Sequence, residues 1–315
     1  MNSLIGNTPM IKITYEYGSI IRSMYAKLEY YNYTGSIKDR IANYIITESY
    51  KEGSLKKDMP IVEATSGNTG ISFGALGRYY GHDVHIFMPD WVSSERINIM
   101  KLYGANVYLV SKEEGGFKEC IKRADELANK TNGFRPNQFD NLKNIEAHYK
   151  TTGKEILNKL KNFSCFVSGI GTGGTLMGVG KCLKEYNENS KIIAIEPESL
   201  PILTKGECVG SHKIEGIGDD FIPSIVDKSL IDSVFDISDV DAINMAKKLA
   251  STFGLGVGIS SGANFLGCVI SGFDNAVTVF TDDLKKYLST DLSKCMNEDK
   301  NLISNSIKLI SLEVV

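Results

Sequence analysis

Apolar runs rich in β-branched residues alternate with longer segments of helical period along nearly the whole chain. MYAKLE (24–29) has the pattern of a strand, and KDRIANYIITESYKEG (38–53) that of a helix closed by Gly53. PIVEA (60–64) predicts a short buried strand, and NTGISFGALGRYYG (68–81) a helix of small residues. The alternation continues through DVHIFMP (83–89), a helix over 94–103, NVYLV (106–110) and a helix from 116 to 130. A long amphipathic helix is expected from beyond Phe139 to Leu160. SCFVSGIG (164–171) then predicts a strand, TLMGVGKCLKEY (175–186) a helix and KIIAIEPE (191–198) another strand. Residues 199–237 read as loop-rich, DVDAINMAKKLASTFG as a helix of period 3.6, and NAVTVFT (275–281) as the last core strand. The charged tail ends in the alternating ISNSIKLISLEVV, an edge-strand pattern. Elements in this order predict an α/β fold with mostly parallel sheets covered by helices on both faces. Two such series meet near residue 145. Two α/β domains are therefore expected, 1–145 and 146–315, a division that 315 residues accommodate.

Charge and composition narrow the function classes. Lys and Arg number 35 against 38 Asp and Glu, a net charge of −3 with no basic block, which argues against a nucleic-acid partner. Six cysteines (Cys120, Cys165, Cys182, Cys208, Cys268 and Cys295) form no C-x-x-C pair, and only four histidines are present. Those spacings fit neither a metal site nor a disulfide framework, so a reduced cytoplasm is the expected setting. No apolar run approaches the ~18–20 residues needed to cross a bilayer, and MNSLIGNTPMIKI lacks the charged and apolar regions of a signal peptide.

Candidate chemistry concentrates in three turns rich in glycine and hydroxyls: TGSIKDR (34–40), TSGNTG (65–70) and SGIGTGGT (168–175). Such turns present backbone N–H groups at helix N-termini, where anions bind, although tight βα turns need the same residues for purely structural reasons. Three of them at strand ends of parallel sheets point to one shared crevice. Gly169, Gly171 and Gly174 also satisfy G-x-G-x-x-G, with Glu196 about 20 residues on, in the position of a ribose-binding acid. A dinucleotide reading leaves the first two turns unexplained, however, and Thr172 and Thr175 suit a compact phosphate cup. Lys38, near a positive helix start, is placed where its proton affinity falls and the neutral amine is favoured.

Together these segments resemble the fold-type II pyridoxal-phosphate enzymes, specifically the cysteine synthase and cystathionine β-synthase group. The resemblance runs through LIGNTPMIKI (4–13), KLEYYNYTGSIKDR (27–40), EATSGNTGIS (63–72), NQFDN (137–141), SGIGTGGT, IEPE (195–198), HKIEGIGDDFIP (212–223), GISSGAN (258–264) and KYLST (286–290). It implies two three-layer domains of tryptophan synthase β-like architecture, with a segment of about 11–37 packing on the second. Pyridoxal 5′-phosphate is the implied cofactor. Lys38 would hold it as an internal aldimine and later move the substrate's α-proton. Asn68 would hydrogen-bond its phenolic oxygen, and Gly171, Thr172, Gly173, Gly174 and Thr175 would cradle its phosphate. Ser260 would face the pyridine nitrogen. Thr65, Ser66, Gly67, Thr69 and Gln138 would grip the substrate carboxylate, with Gly218 also in the substrate site. A serine hydroxyl does not force the pyridine nitrogen to stay protonated, which favours β-elimination through an α-aminoacrylate followed by addition of a nucleophile.

The implied activity is β-replacement on a serine- or cysteine-type amino acid, with cysteine formation from O-acetylserine and sulfide as the leading expectation. The resemblance further implies a homodimer and a serine acetyltransferase as docking partner. One departure opens an alternative. Synthases of the group usually read GIGAGFIP at 216–223 and cystathionine β-synthases GIGYDFIP, whereas this chain has GIGDDFIP. Asp219 matches neither. Either it points to solvent, or its carboxylate lies near the substrate's β-carbon as a general base and repels incoming hydrosulfide. The latter favours a cysteine lyase or hydroxyl-lyase that releases hydrogen sulfide. TDDLKK (281–286) is a second departure, standing where the group has a PSSGER-like run. A non-catalytic metabolite-binding or docking protein is a further alternative, opposed by the complete set of lysine, asparagine and carboxylate-loop residues.

Overall fold

The computed structural model describes residues 1, 3–206 and 210–315. Its first two strands form a hairpin: β1 (Met10–Tyr17) pairs with β2 (Ile20–Leu28) across a two-residue turn, Gly18-Ser19. Both turn residues have positive φ, 57° and 64°, the backbone that matches the right-handed twist of the strands it joins. After β2 come α1 (Lys38–Glu52), β3 (Ile61–Ala64), α2 (Asn68–Tyr79), β4 (Val84–Pro89), α3 (Ser94–Leu102), β5 (Asn106–Val110) and α4 (Gly116–Thr131). The segment that the periodicity reads as one long helix is α5 (Lys143–His148), a π turn (Tyr149–Gly153) and α6 (Lys154–Lys159). It starts later than expected because residues 137–141 turn back on themselves, with Asp140 N and Asn141 N both donating to Asn137 O. Then follow β6 (Cys165–Gly169), α7 (Gly174–Tyr186), β7 (Lys191–Pro197), α8 (Ile202–Lys205), β8 (Ser233–Ile237), α9 (Asp239–Phe253), α10 (Ile259–Ser271), β9 (Ala276–Phe280), α11 (Ile303–Ser306) and β10 (Lys308–Val314).

Among the described residues, ten strands build two sheets. One is the parallel trio β3-β4-β5; the other has seven strands in the order β10-β1-β2-β9-β6-β7-β8. In the larger sheet β2, β9, β6, β7 and β8 run parallel, and the β1–β2 hairpin and β10 add an antiparallel edge. Residues 10–28 thus join strands from the far half of the sequence. Alternate side chains of each sheet enter different cores. In the small sheet Ile61, Val84 and Ile86 meet α1, α2 and α3, while Val62, Ala64 and Phe87 meet α4. In the large one Val167, Ile193 and Ile195 pack with α9 and α10, while Phe166, Ile192 and Val277 pack with α6 and α7. Both sheets are therefore middle layers, the three-layer α/β class expected from the alternation.

Short elements, a helix and a strand among them, lie in the stretch read as loop. Strand β8 is only partly buried and carries Ser233 and Asp236, so its apolar signal is weak. Helix α8 is held by Glu196, whose carboxylate accepts from Leu203 N (2.7 Å) and from Thr204 N and Oγ1 (3.1 and 2.7 Å). Glu196 is thus committed to capping a helix, which removes the ribose-binding acid from the dinucleotide reading. Among the described residues no helix is long and apolar enough to cross a membrane. Cys208 lies outside the described residues; the other five cysteines are unpaired.

Candidate active site

The three glycine-rich turns meet in one cleft between the two sheets. It is lined by Lys38, Thr65, Ser66, Gly67, Asn68, Thr69, Gln138, Gly171, Thr172, Gly173, Thr175, Asp219 and Ser260, together with Arg96, Glu215 and Thr281. Parallel strands explain the convergence, because the loops leaving the carboxyl ends of β3 and β6 face the same crevice. Lys38 is the first residue of α1, and the chain reaches it through a turn pinned to the far end of the sequence. Ile37 N donates to Thr281 O (2.9 Å), and Ser36 bridges Asp282.

Burial lowers the Lys38 pKa to about 8, with the nearby Asp219 charge pulling it partly back. Desolvation is therefore the main cause of the depressed affinity, ahead of the helix-start effect that the sequence points to. Asp219 is half-buried, and its carboxyl is raised to about 6 by burial and by Asp220 beside it, with Lys38 opposing. Asp219 lines the cleft with Lys38 and also the wider opening outside, formed by Trp91, Phe117 and His212.

The glycine-threonine turn expected to cradle a phosphate lies at the N-terminus of α7. Gly173 has φ of +86°, and a Cβ there would lie 2.4 Å from Val226 Cγ2; a Cβ on Gly171 would lie 2.4 Å from Gly216 O. Glycine is therefore required for the backbone N–H groups to turn inward. Gly174 stands behind the cup, where a Cβ would meet the Asn144 amide. Asn144, which carries no motif of its own, donates to Thr172 Oγ1 (3.0 Å) and Gln138 O (2.8 Å), joining the glycine-threonine turn to the wall that holds Gln138. His148 is a second such residue. Buried and held neutral, it contacts Thr175 Oγ1 at 3.2 Å and Thr152 Oγ1 at 2.9 Å. Its only sequence signal is its spacing from Asn144 on one helix face.

On the other wall, Thr69 Oγ1 donates to Gln138 Oε1 (2.6 Å), and Gln138 Nε2 donates to Ala64 O (3.1 Å). Gly67 N donates to Thr65 Oγ1 (3.1 Å), and Gly67 lies under Arg96, whose Cδ would be 2.6 Å from a Cβ there. Ser260, at the start of α10, is 2.8 Å from Thr281 Oγ1. Gly218 is placed differently from the rest. It lines the outer opening, with φ of +73° and its carbonyl 2.7 Å from His212 Nε2.

A half-buried lysine of lowered proton affinity, an amide, a glycine-threonine cup and a serine hydroxyl in one cleft fit an aldehyde cofactor bearing a phosphate. The match extends beyond geometry: residues 1–282 match the family of pyridoxal-phosphate dependent enzymes, and the chain belongs to that family. Within it, the chain is 44% identical to cysteine synthase B of Campylobacter jejuni over 298 residues, 93% of this chain and 97% of that one. A hydrogen sulfide-producing enzyme of Fusobacterium nucleatum superposes with a TM-score of 0.96 at 47% identity, covering 100% of this chain and 97% of that one. A mutant form of a hydrogen sulfide-producing enzyme, in complex with an α-aminoacrylate intermediate, gives a TM-score of 0.97 at 46% identity and the same coverage. The protein is thus a pyridoxal-phosphate enzyme of the cysteine synthase group.

Proposed function

We propose that the protein performs β-replacement on a serine- or cysteine-type amino acid, forming cysteine from O-acetylserine and sulfide. The observation that carries this reading is the seating of Lys38 between the glycine-threonine cup and the 65–70 loop in a single cleft. Bound pyridoxal phosphate supplies the electron sink that lets an α-proton and a β-substituent leave together. The chain does the rest. Lys38 holds the cofactor and carries the α-proton, Asn68 faces the phenolic oxygen and Ser260 the pyridine nitrogen. Gly171 to Thr175 bind the phosphate. Thr65, Ser66, Gly67, Thr69 and Gln138 hold the substrate carboxylate, with Gly218 shaping the entrance. Closure of the 65–70 loop over that carboxylate excludes water.

A second reading rests on Asp219. Its position beside Lys38, with a carboxyl raised to about 6, suits a general base at neutral pH. Cysteine would lose hydrosulfide and water would add at the β-carbon to give serine. Asp219 would take the water's proton, which the sulfur finally carries away as hydrogen sulfide. The structural likeness to hydrogen sulfide-producing enzymes supports this reading, as the likeness to cysteine synthases supports the first.

Assays of the purified holoenzyme separate them. Cysteine formation from O-acetylserine and sulfide establishes the synthase, whereas sulfide release from cysteine with O-acetylserine inert establishes the lyase. Failure of both reactions overturns both readings and leaves the metabolite-binding alternative. The same family reading makes the protein a cytoplasmic homodimer able to dock a serine acetyltransferase, which light scattering alone and with that enzyme tests. It also divides the chain at 145/146 into two units, with residues 11–37 belonging to the second.

A further inference from the structure

TDDLKK (281–286), which departs from the group's usual run, folds against Asn68. Asp282, fully buried, accepts from Asn68 Nδ2 at 2.7 Å. Lys286, also buried, donates from Nζ to Asn68 Oδ1 at 3.0 Å and to Gly35 O at 2.9 Å. The amide of Asn68 is thus held between two charges of opposite sign. Rotating it by half a turn would set its NH₂ against an ammonium and its carbonyl against a carboxylate, losing both charge-assisted bonds. The amide is thereby fixed with a single Nδ2–H left to donate.

Asp282 is itself positioned. Tyr287 Oη donates to its Oδ2 at 2.8 Å, and Arg96 Nη2 lies 3.7 Å away while stacking over the Tyr287 ring. Lys286 reaches in the other direction, to the carbonyl of the turn that presents Lys38. Both charged groups therefore act on elements that the cofactor touches, yet neither lines the cleft.

We propose that Asp282 and Lys286 are positioning residues that lock Asn68 with its free N–H toward the cofactor's phenolic oxygen, favouring the ionised oxygen. The proposal rests on the reading of Asn68 as that oxygen's partner. A donor fixed on the oxygen stabilises its anionic form, so the holoenzyme should absorb chiefly in the visible band of the phenolate rather than the near-ultraviolet band of the neutral phenol.

The test measures the ratio of these two bands, and the affinity of the apoenzyme for pyridoxal phosphate, in Asn68→Ala, Asp282→Ser, Lys286→Met and the double variant Asn68→Ala/Asp282→Ser. Both lock variants should shift absorbance toward the near-ultraviolet band and weaken cofactor binding by about tenfold, one hydrogen bond's worth. The double variant should match Asn68→Ala alone. Asn68→Ala shifting the ratio while the lock variants leave it unchanged, or a double variant with additive shifts, overturns the proposal and leaves the Asn68 assignment standing. No shift in Asn68→Ala overturns both. Lys286→Met reads the lock from the opposite end of the amide, so a poorly folded Asp282→Ser still leaves the question decided.

Discussion

Lys38 and Asp219 have their proton affinities displaced toward each other, one down to about 8 and the other up to about 6, because both lose water in the same cleft. In the lyase reading the base must be ionised. Sulfide release from cysteine should therefore rise as pH increases through about 6. Asp219→Asn should abolish that limb and cut the rate by about 10²–10⁴-fold, the usual worth of a general base, in a pH series of initial rates. An unchanged profile would remove Asp219 from the chemistry. Lys38→Ala should bind cofactor without covalent attachment, which mass spectrometry after borohydride reduction would read as the absence of the added mass. At this scale the sequence was informative about identity and poor about surroundings. Glycines 171, 173 and 174, with Thr172 and Thr175, are contiguous and announce a cup. Arg96, which lines the cleft, and Asn144 and Asp282, which stand behind its lining residues, come from three separate stretches of the chain and carry no local motif.

At the scale of elements, the cup depends on a backbone that only glycine adopts cheaply. Gly173→Ala must accept φ of +86° and a contact of 2.4 Å with Val226. It should destabilise the fold by about 1–3 kcal/mol and weaken cofactor binding, checked by thermal melts of the apoprotein and by cofactor titration. Helix α4 was legible because it buries one face, Cys120, Ala124 and Ala128, whereas α2 and α7 are buried nearly all round and were legible from their small residues and the glycine-rich turns that open them. The helix expected across 139–160 was legible only in outline. Gly178 of α7 lies so close that a Cβ on it would be 2.3 Å from Ile145 O, and the π turn at Tyr149–Gly153 sits at this contact. Strand β1 went unread because its MIKITYEY alternation becomes decisive only once β2 and β10 flank it.

Across the whole molecule, one buried ion network ties the edge of the large sheet to both halves of the chain. Arg40 of α1 bonds Glu29 after β2 (2.5 Å) and Glu155 of α6 (2.7 Å), and Lys27 of β2 reaches Glu155 at 2.7 Å. Burial pushes the Glu29 carboxyl up, but Arg40 together with Lys27 and Thr8 outweighs it and lowers the carboxyl from 4.5 to about 2. A carboxylate depressed in the folded state contributes stability that is complete above pH 4.5 and is lost as pH falls from there through 2. Glu29→Gln, which leaves Arg40 short of a charge, should cost about 3–5 kcal/mol at neutral pH. The gap between its unfolding free energy and that of the native sequence should close toward pH 2 in denaturant titrations. An equal gap at all pH values would mean that packing, and not ionisation, holds the network. The sequence by itself determined the alternating α/β class and the residues in contiguous motifs, since period and turn chemistry are local properties, and the cofactor followed from its resemblance to a family. Tertiary structure decided that residues 10–28 complete the far sheet, that Glu196 caps a helix, that Asp219 faces Lys38 and that Asp282 and Lys286 clasp Asn68. Each of those depends on which segments, remote along the chain, come to share a buried space, and local patterning carries no record of that.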